Sequence, residues 1–164
     1  MATQRCPCGH FTDPHKECTC QPAEVQKYMT RISGPLLDRI DLHIEVPAVK
    51  YQELASKERG ERSEAIRGRV TAARSRQTAR FRARKGLYAN ADMQSNEIRE
   101  FCRVDGPGEE LLKMAITKLG LSARAYDRIL KVARTIADLA QSDGIKPEHV
   151  AEAIQYRSLD RTLM

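Results

Sequence analysis

The chain has 164 residues, of which 41% are hydrophobic, 30% are charged and 5% are aromatic, with no tryptophan. This composition predicts a soluble, helix-rich protein of one or two small domains with an aliphatic core. No apolar run approaches the roughly 18 residues of a membrane span, and no apolar stretch follows the first five residues, as it would in a secretory signal. We therefore expect a cytoplasmic protein that does not enter a membrane.

Four cysteines lie in two close pairs near the N-terminus: Cys6, Cys8, Cys18 and Cys20. In a reducing cytosol such pairs indicate a metal site before disulfides. Four thiolates suit tetrahedral Zn²⁺, and the polar loop between the pairs has no core of its own to order it. We expect one structural Zn²⁺ on the four cysteines, with free thiols in a flexible hairpin as the alternative. His10 and His15, between the pairs, are expected to be loop residues.

After the cysteines, Pro22 and Glu24 mark the first turn of a helix that the Ser-Gly-Pro run at 33–35 ends. A single turn at 36–39 then leads into a strand with one buried face, because apolar and polar residues alternate from 40 to 46. Arg39 lies at the corner between turn and strand. Its guanidinium is held outward there and can meet a phosphate on another molecule.

Residues 50–61 form a charged connector, near which we place a domain boundary. A long helix is expected from Ser63 to Lys85, with a thin apolar stripe and Gly86 as its stop. The stripe consists of Ile66, Val70, Ala73 and Phe81. Residues 62–85 contain nine basic side chains and one acidic side chain, although the net charge of the whole chain is only +6. Such a stripe favours nucleic acid or another polyanion. The alternative is a solvated helix face that meets acidic surface on a neighbouring subunit.

The remainder of the sequence predicts a helical bundle. Helices are expected at about 95–102, after Asp105, from Ser122 to about residue 140, and from Pro147 onward. Gly120 is expected to close the second of these, and Ser122 to cap the third. The fold class is therefore mainly α.

The run Leu36-Leu37-Asp38-Arg39-Ile40-Asp41 resembles the Leu-Leu-Ser-Arg-Phe-Asp element of AAA+ ATPases of the helix-insert clade, which includes MCM helicases and magnesium chelatases. Taken with Cys6-Pro7-Cys8-Gly9 upstream, it is most similar to the competence-related, magnesium-chelatase-like proteins of the ComM type. The resemblance extends over nearly the whole chain. It implies that the chain is the C-terminal fragment of a hexameric ring ATPase.

The resemblance also implies a domain organisation. Residues 1–49 are expected to be the C-terminal remnant of an AAA+ α/β core, consisting of the cysteine hairpin, a helix and one strand. Residues 50–62 would be a linker, and residues 63–164 a helical lid of the magnesium chelatase C-terminal type.

In this family the arginine equivalent to Arg39 is the finger that one subunit inserts into the ATP site of its neighbour. The run from Leu121 to Leu130 resembles the sensor-two element of AAA+ lids, which makes Arg124 the residue that touches the γ-phosphate. Without a phosphate to bind, an arginine such as Arg124 at the positive N-terminal end of a helix is unfavourable. Arg31 is a second candidate for reaching across the interface, or else it neutralises a helix C-terminus. Arg128 is expected to pair with Asp127 or with solvent.

Several elements of such an ATPase are missing from the 164 residues. No Gly-x-x-x-x-Gly-Lys-[Ser/Thr] run and no Walker B element occur, so ATP and Mg²⁺ would be bound mainly by an upstream core and this stretch alone is not an ATPase. Gln4-Arg5 occupies the place where the family usually has Asn-Pro, whose asparagine is sensor one. That role is left unfilled.

Three functions follow as hypotheses. The resemblance implies a motor that moves branched or single-stranded DNA during uptake and recombination. A second hypothesis is a non-catalytic zinc-and-helix module that binds nucleic acid or a partner through the basic helix, with these candidate contacts: Arg67, Arg74, Arg80 and Arg84. A chelatase role in tetrapyrrole metabolism is a third, which the cysteine pairs disfavour.

Overall fold

The structure, a computed structural model, describes residues 3–37, 39–47, 49 and 60–157. Its helices are α1 Pro22–Met29, α2 Gly34–Leu37, α3 Ser63–Phe81, α4 Ser95–Phe101, α5 Gly106–Leu119, α6 Ala123–Leu139 and α7 Pro147–Gln155. A 3₁₀ turn at Asn90–Asp92 lies between α3 and α4. The prediction of a mainly α fold is confirmed. None of the described helices combines the length and apolar character needed to cross a bilayer.

Helix α6 is the centre of the bundle. Helices α3, α4 and α7 pack against it, and α5 packs on α7. One stripe of α6, formed by Ala125, Ile129, Ala133 and Ala137, is fully buried. The four-residue spacing of this stripe is that of a single helix face.

The helix ends follow the local sequence. The Asp105 carboxylate accepts the backbone N–H of Gly108 at 2.9 Å, and the Ser122 hydroxyl accepts the N–H of Ala125 at 3.2 Å. Gly120 ends α5 with φ +59°, a left-handed conformation that glycine adopts without strain. These three predicted helix boundaries are confirmed.

Helix α3 packs on the bundle only through its C-terminal half. Ala73, Gln77 and Phe81 are buried at intervals of four residues, whereas Ile66 and Val70 are 43% and 47% exposed. Of the predicted apolar stripe, Ala73 and Phe81 are therefore buried, whereas Ile66 and Val70 are not. The helix also ends at Phe81, four residues before the predicted boundary.

Residues 40–47 do not form the predicted strand. Ile44 and Val46 are 66% and 83% exposed, so the expected buried face is absent. β pairing in the described residues is limited to an isolated bridge between Val104 and Ile145. A strand needs a neighbouring strand for its N–H and C=O groups, and the described part of the chain supplies none beside residues 40–47.

The predicted division at residues 1–49, 50–62 and 63–164 stays a prediction. Most of the expected linker, residues 50–59, lies outside the described residues, as do Asp38 and residues 158–164.

A buried polar cluster lies where α3, the 3₁₀ turn and α6 meet. The Asp138 carboxylate, fully buried, accepts two bonds from Arg80 at 2.8 and 2.5 Å and one from the Asn90 amide at 2.9 Å. Arg134 lies 3.2 Å from the same carboxylate and donates to the carbonyls of Ser142 and Asp143. Burial alone would raise the pKa of Asp138, but the bonds from Arg80 and Asn90 outweigh it and lower that pKa.

Candidate metal centre and exposed arginines

The four predicted metal ligands come together. The Sγ atoms of Cys6, Cys8, Cys18 and Cys20 all lie within 4.8 Å of one another. Three of the distances are 3.4 Å (Cys6–Cys8), 3.6 Å (Cys8–Cys18) and 3.8 Å (Cys6–Cys18). Zn–S bonds of about 2.3 Å in a tetrahedron place the sulfurs roughly 3.8 Å apart, whereas a disulfide needs about 2.05 Å. The cluster therefore has the dimensions of a four-thiolate metal site.

The Cys6-Pro7-Cys8-Gly9 run forms a tight turn that aims backbone donors at sulfur. The Gly9 N–H donates to the Cys6 carbonyl at 3.1 Å, and Gly9 takes a φ of +82° that suits glycine. The Phe11 N–H then donates to Cys6 Sγ at 3.3 Å. Such N–H···S bonds stabilise thiolate, the form that binds metal.

The pKa values of the Cys8 and Cys20 thiols shift in opposite directions. Backbone N–H groups of His10 and Thr19 lower the pKa of Cys8 to about 5. The N–H of Cys8 favours the thiolate of Cys20, but loss of solvent and the neighbouring sulfurs raise the pKa of Cys20 to about 12. Four sulfurs at this spacing repel one another as thiolates, and a divalent cation removes that repulsion by displacing the remaining protons. The donor set thus fits Zn²⁺, which would order the hairpin.

The two histidines of the hairpin contact Asp13 rather than the sulfurs. His10 Nδ1 lies 3.3 Å from one Asp13 carboxylate oxygen, and the His15 backbone N–H donates to the other at 2.8 Å. The cysteines therefore form the candidate ligand set without an imidazole.

We expect the purified protein to contain about one Zn²⁺ per chain, measured by plasma mass spectrometry after extensive dialysis. Cys8→Ser and Cys18→Ser should each lower this content strongly, because three thiolates leave an open position. Cys102→Ala is the matched control, since this buried thiol lies outside the cluster. A metal-free wild-type protein that does not take up added Zn²⁺ would refute the site.

Arg39 follows α2 and has an exposed side chain. Its backbone N–H donates to the Leu36 carbonyl at 3.0 Å, which closes the turn at the end of α2. Within the described residues, its guanidinium has no carboxylate partner. This placement leaves the guanidinium available to another molecule.

Arg124 lies in the first turn of α6 and is also exposed without a carboxylate partner in the described part of the chain. Arg31, just after α1, is exposed as well, with its guanidinium carbon 5.6 Å from the centre of the Tyr28 ring. The structure thus leaves all three arginines open to solvent.

The residue that sequence reasoning missed is Arg128. Its guanidinium donates to the Arg39 carbonyl at 2.7 Å and pairs with the Asp41 carboxylate. The expected pairing of Arg128 with Asp127 or solvent is therefore wrong. No local signal identifies Asp41 as the partner, because 87 positions separate it from Arg128.

The basic helix is less positive than its sequence suggests. Five of its nine bases pair with carboxylates: Arg62 with Glu64, Arg69 with Glu61, Arg76 with Asp143, Arg80 with Asp138 and Arg84 with Glu100. Of the four candidate nucleic-acid contacts, Arg80 and Arg84 are thus engaged within the chain. Arg67 and Arg74 are exposed, and Arg74 lies 3.3 Å from the Gln77 amide oxygen.

The fold and the cysteine cluster together define a helical domain preceded by a candidate metal-binding hairpin. Residues 60–157 match the family described as magnesium chelatase, subunit ChlI C-terminal, and residues 1–54 match the one described as magnesium chelatase, subunit ChlI. The chain belongs to this magnesium-chelatase-like family, as its motifs predicted. The matches support its assignment to the AAA+ proteins.

Curated relatives cover nearly the whole chain. It is 43% identical to the uncharacterized protein YifB of Escherichia coli over 159 residues and 43% identical to the competence protein ComM of Haemophilus influenzae over 158. It is 32% identical to the uncharacterized protein Rv2897c of Mycobacterium tuberculosis over 157 residues. In each case the match covers 96% of this chain and 30% of the relative. The chain therefore spans less than a third of the length of the relatives it matches.

Proposed function

We propose that this chain is the C-terminal part of an AAA+ ATPase whose upstream core binds ATP and Mg²⁺. The observation that carries the proposal is that Arg39 and Arg124 both reach solvent and neither is neutralised by a carboxylate in the described residues. An arginine whose donors are all bonded within its own bundle has none left for a phosphate, whereas the described residues give these two guanidinium groups no carboxylate partner. Membership of the magnesium-chelatase-like family supports the same proposal.

In this proposal Arg39 acts across a subunit interface. Its guanidinium approaches the γ-phosphate held by the neighbouring subunit and stabilises the negative charge that develops during hydrolysis. Arg39 follows a short helix and its side chain is exposed, which suits a residue that projects from one subunit to another.

Arg124 acts as the nucleotide sensor of the helical domain. A helix N-terminus attracts anions through its unpaired N–H groups, and an arginine in the first turn adds a bidentate phosphate contact. Arg31, exposed just after α1, is a second candidate for reaching across the subunit interface. The four cysteines hold a structural Zn²⁺ that keeps the hairpin folded beside the remnant of the AAA+ core.

We further propose that the assembled protein is a homo-oligomeric ring, a hexamer, that acts on DNA in the cytoplasm. The similarity to a competence protein supports a role in DNA uptake and processing. Arg67 and Arg74 are the basic candidates on α3 that remain without a carboxylate partner in the described residues, and we assign any DNA contact of this helix to them.

The non-catalytic nucleic-acid module ranks second. Phosphate binding depends on unpaired positive charge, and five of the nine bases on this segment are already paired with carboxylates of the same chain. An exposed pair of this kind is weak and can exchange partners, but it lowers the net charge that a polyanion meets.

The sensor assignment predicts that Arg124→Ala in the full-length ATPase lowers kcat for ATP by about 10- to 100-fold, because a group that stabilises transition-state charge is lost. Steady-state phosphate release measures this effect. Arg99→Ala, which removes another exposed helical arginine from the same domain, should leave kcat unchanged. Equal rates for both variants would contradict the assignment.

A further inference from the structure

The segment that carries Arg39 is attached to the helical bundle rather than to a sheet. We call residues 39–43 the corner segment. Arg128 on α6 bonds to the Arg39 carbonyl at 2.7 Å and to the Asp41 carboxylate, and Arg157 donates to the Ile40 carbonyl. The His43 N–H donates to the Tyr156 carbonyl at 2.8 Å. These four attachments, three to the backbone and one to the Asp41 side chain, hold the corner segment against α6 and the residues that follow α7.

One guanidinium makes two of these four attachments. The Arg128 side chain is 26% exposed and the Asp41 carboxylate 56% exposed, so solvent weakens this ion pair. The bond to the Arg39 carbonyl acts more directly on Arg39, because it holds the peptide group next to the Cα atom that carries the Arg39 side chain.

Arg128 also links the two exposed arginines. It lies one helical turn after Arg124, about 6 Å along the axis of α6. Its hydrogen bond to the Arg39 carbonyl therefore connects the first two turns of α6, where Arg124 lies, to the corner segment.

We infer that Arg128 is a positioning residue for Arg39, and that it makes the corner segment and α6 move as one unit. This inference rests on the proposed function, since it concerns how the finger arginine is held. It assigns the side chain no contact with nucleotide. Its effect on catalysis passes entirely through the location of the Arg39 guanidinium.

The experiment measures ATP turnover by the full-length ATPase carrying Arg128→Ala. We expect kcat to fall about 10- to 100-fold, the size of effect that a misplacement of roughly 1 Å produces, with the KM for ATP unchanged. Arg128→Lys, which can satisfy one of the two acceptors, should retain an intermediate kcat. Arg69→Ala is the matched control, since it removes another arginine paired with a carboxylate, Glu61, on the same domain.

A double-mutant cycle separates positioning from a general structural role. In an Arg39→Ala background, Arg128→Ala should have no further effect on the residual turnover, measured with radiolabelled ATP, because there is no guanidinium left to position. Two results would overturn this inference and leave the proposed function standing. One is an effect of Arg128→Ala on turnover that has the same size in both backgrounds, and the other is an Arg128→Ala variant with the same kcat as Arg69→Ala. Full turnover by the Arg39→Ala single variant would overturn the proposed function with it.

Discussion

Arg39→Ala in the full-length ATPase is expected to lower ATP turnover by about 10³- to 10⁵-fold, the contribution measured for arginine fingers in other nucleotide hydrolases. Nucleotide binding should be largely retained, because in the proposed function an upstream core, and not Arg39, holds the ATP phosphates and Mg²⁺. Phosphate release and the binding of a fluorescent ATP analogue, measured on the same preparation, separate the two properties. The physical reason is that the guanidinium stabilises charge that exists in the transition state and not in the ground state.

Two comparisons sharpen this test. Arg103→Ala removes another exposed arginine away from the corner segment and should leave turnover intact. Arg39→Lys keeps the charge but loses the planar fork, so it should recover only part of the activity. If the finger acts in trans, rings that mix wild-type and Arg39→Ala subunits should lose activity in the sites next to a variant subunit. Undiminished turnover by Arg39→Ala would rule out the finger assignment.

Asp138→Ala is expected to destabilise the helical domain by about 3–5 kcal/mol, the usual cost of removing one partner from a buried ion pair. The change leaves Arg134, 3% exposed, without its carboxylate, and it also removes the acceptor of Arg80 and Asn90. Urea unfolding of the 164-residue chain, followed by circular dichroism, measures the loss. Asp143→Ala is the control. Its carboxylate pairs with Arg76 but is 98% exposed, so its removal should cost less than about 1 kcal/mol.

The Asp138 carboxylate also makes the stability of the helical domain depend on pH. The pKa of Asp138 is lower in the folded state than its ordinary value, so its contribution to stability is fully present above the unfolded pKa of about 3.9 and is lost as pH falls through the folded pKa. Acid unfolding of the wild type should therefore include a step that Asp138→Asn lacks. Identical acid-unfolding curves for the two proteins would show that the cluster is not held by this charge.

Local sequence was sufficient for three helix boundaries and for the cysteine cluster. Asp105, Gly120 and Ser122 act on N–H and C=O groups within four positions of themselves, so the chain ends its helices where these residues stand. The cysteine pairs behave in the same way, because a turn at Cys6-Pro7-Cys8-Gly9 brings two sulfurs to 3.4 Å without help from the bundle. Arg39 and Arg124 were identified by resemblance to a family, and the family itself is confirmed.

Tertiary structure alone decided which charges meet and which apolar faces are covered. Arg80 meets Asp138 across 58 positions and Arg128 meets Asp41 across 87, and no periodicity in the sequence encodes such pairs. The alternation in residues 40–46 specifies a strand only if another strand lies beside it, and the described chain places the helical bundle there instead. Hydrogen-bonding periods and caps are properties of neighbouring residues, whereas ion pairs and buried faces depend on the path of the whole chain.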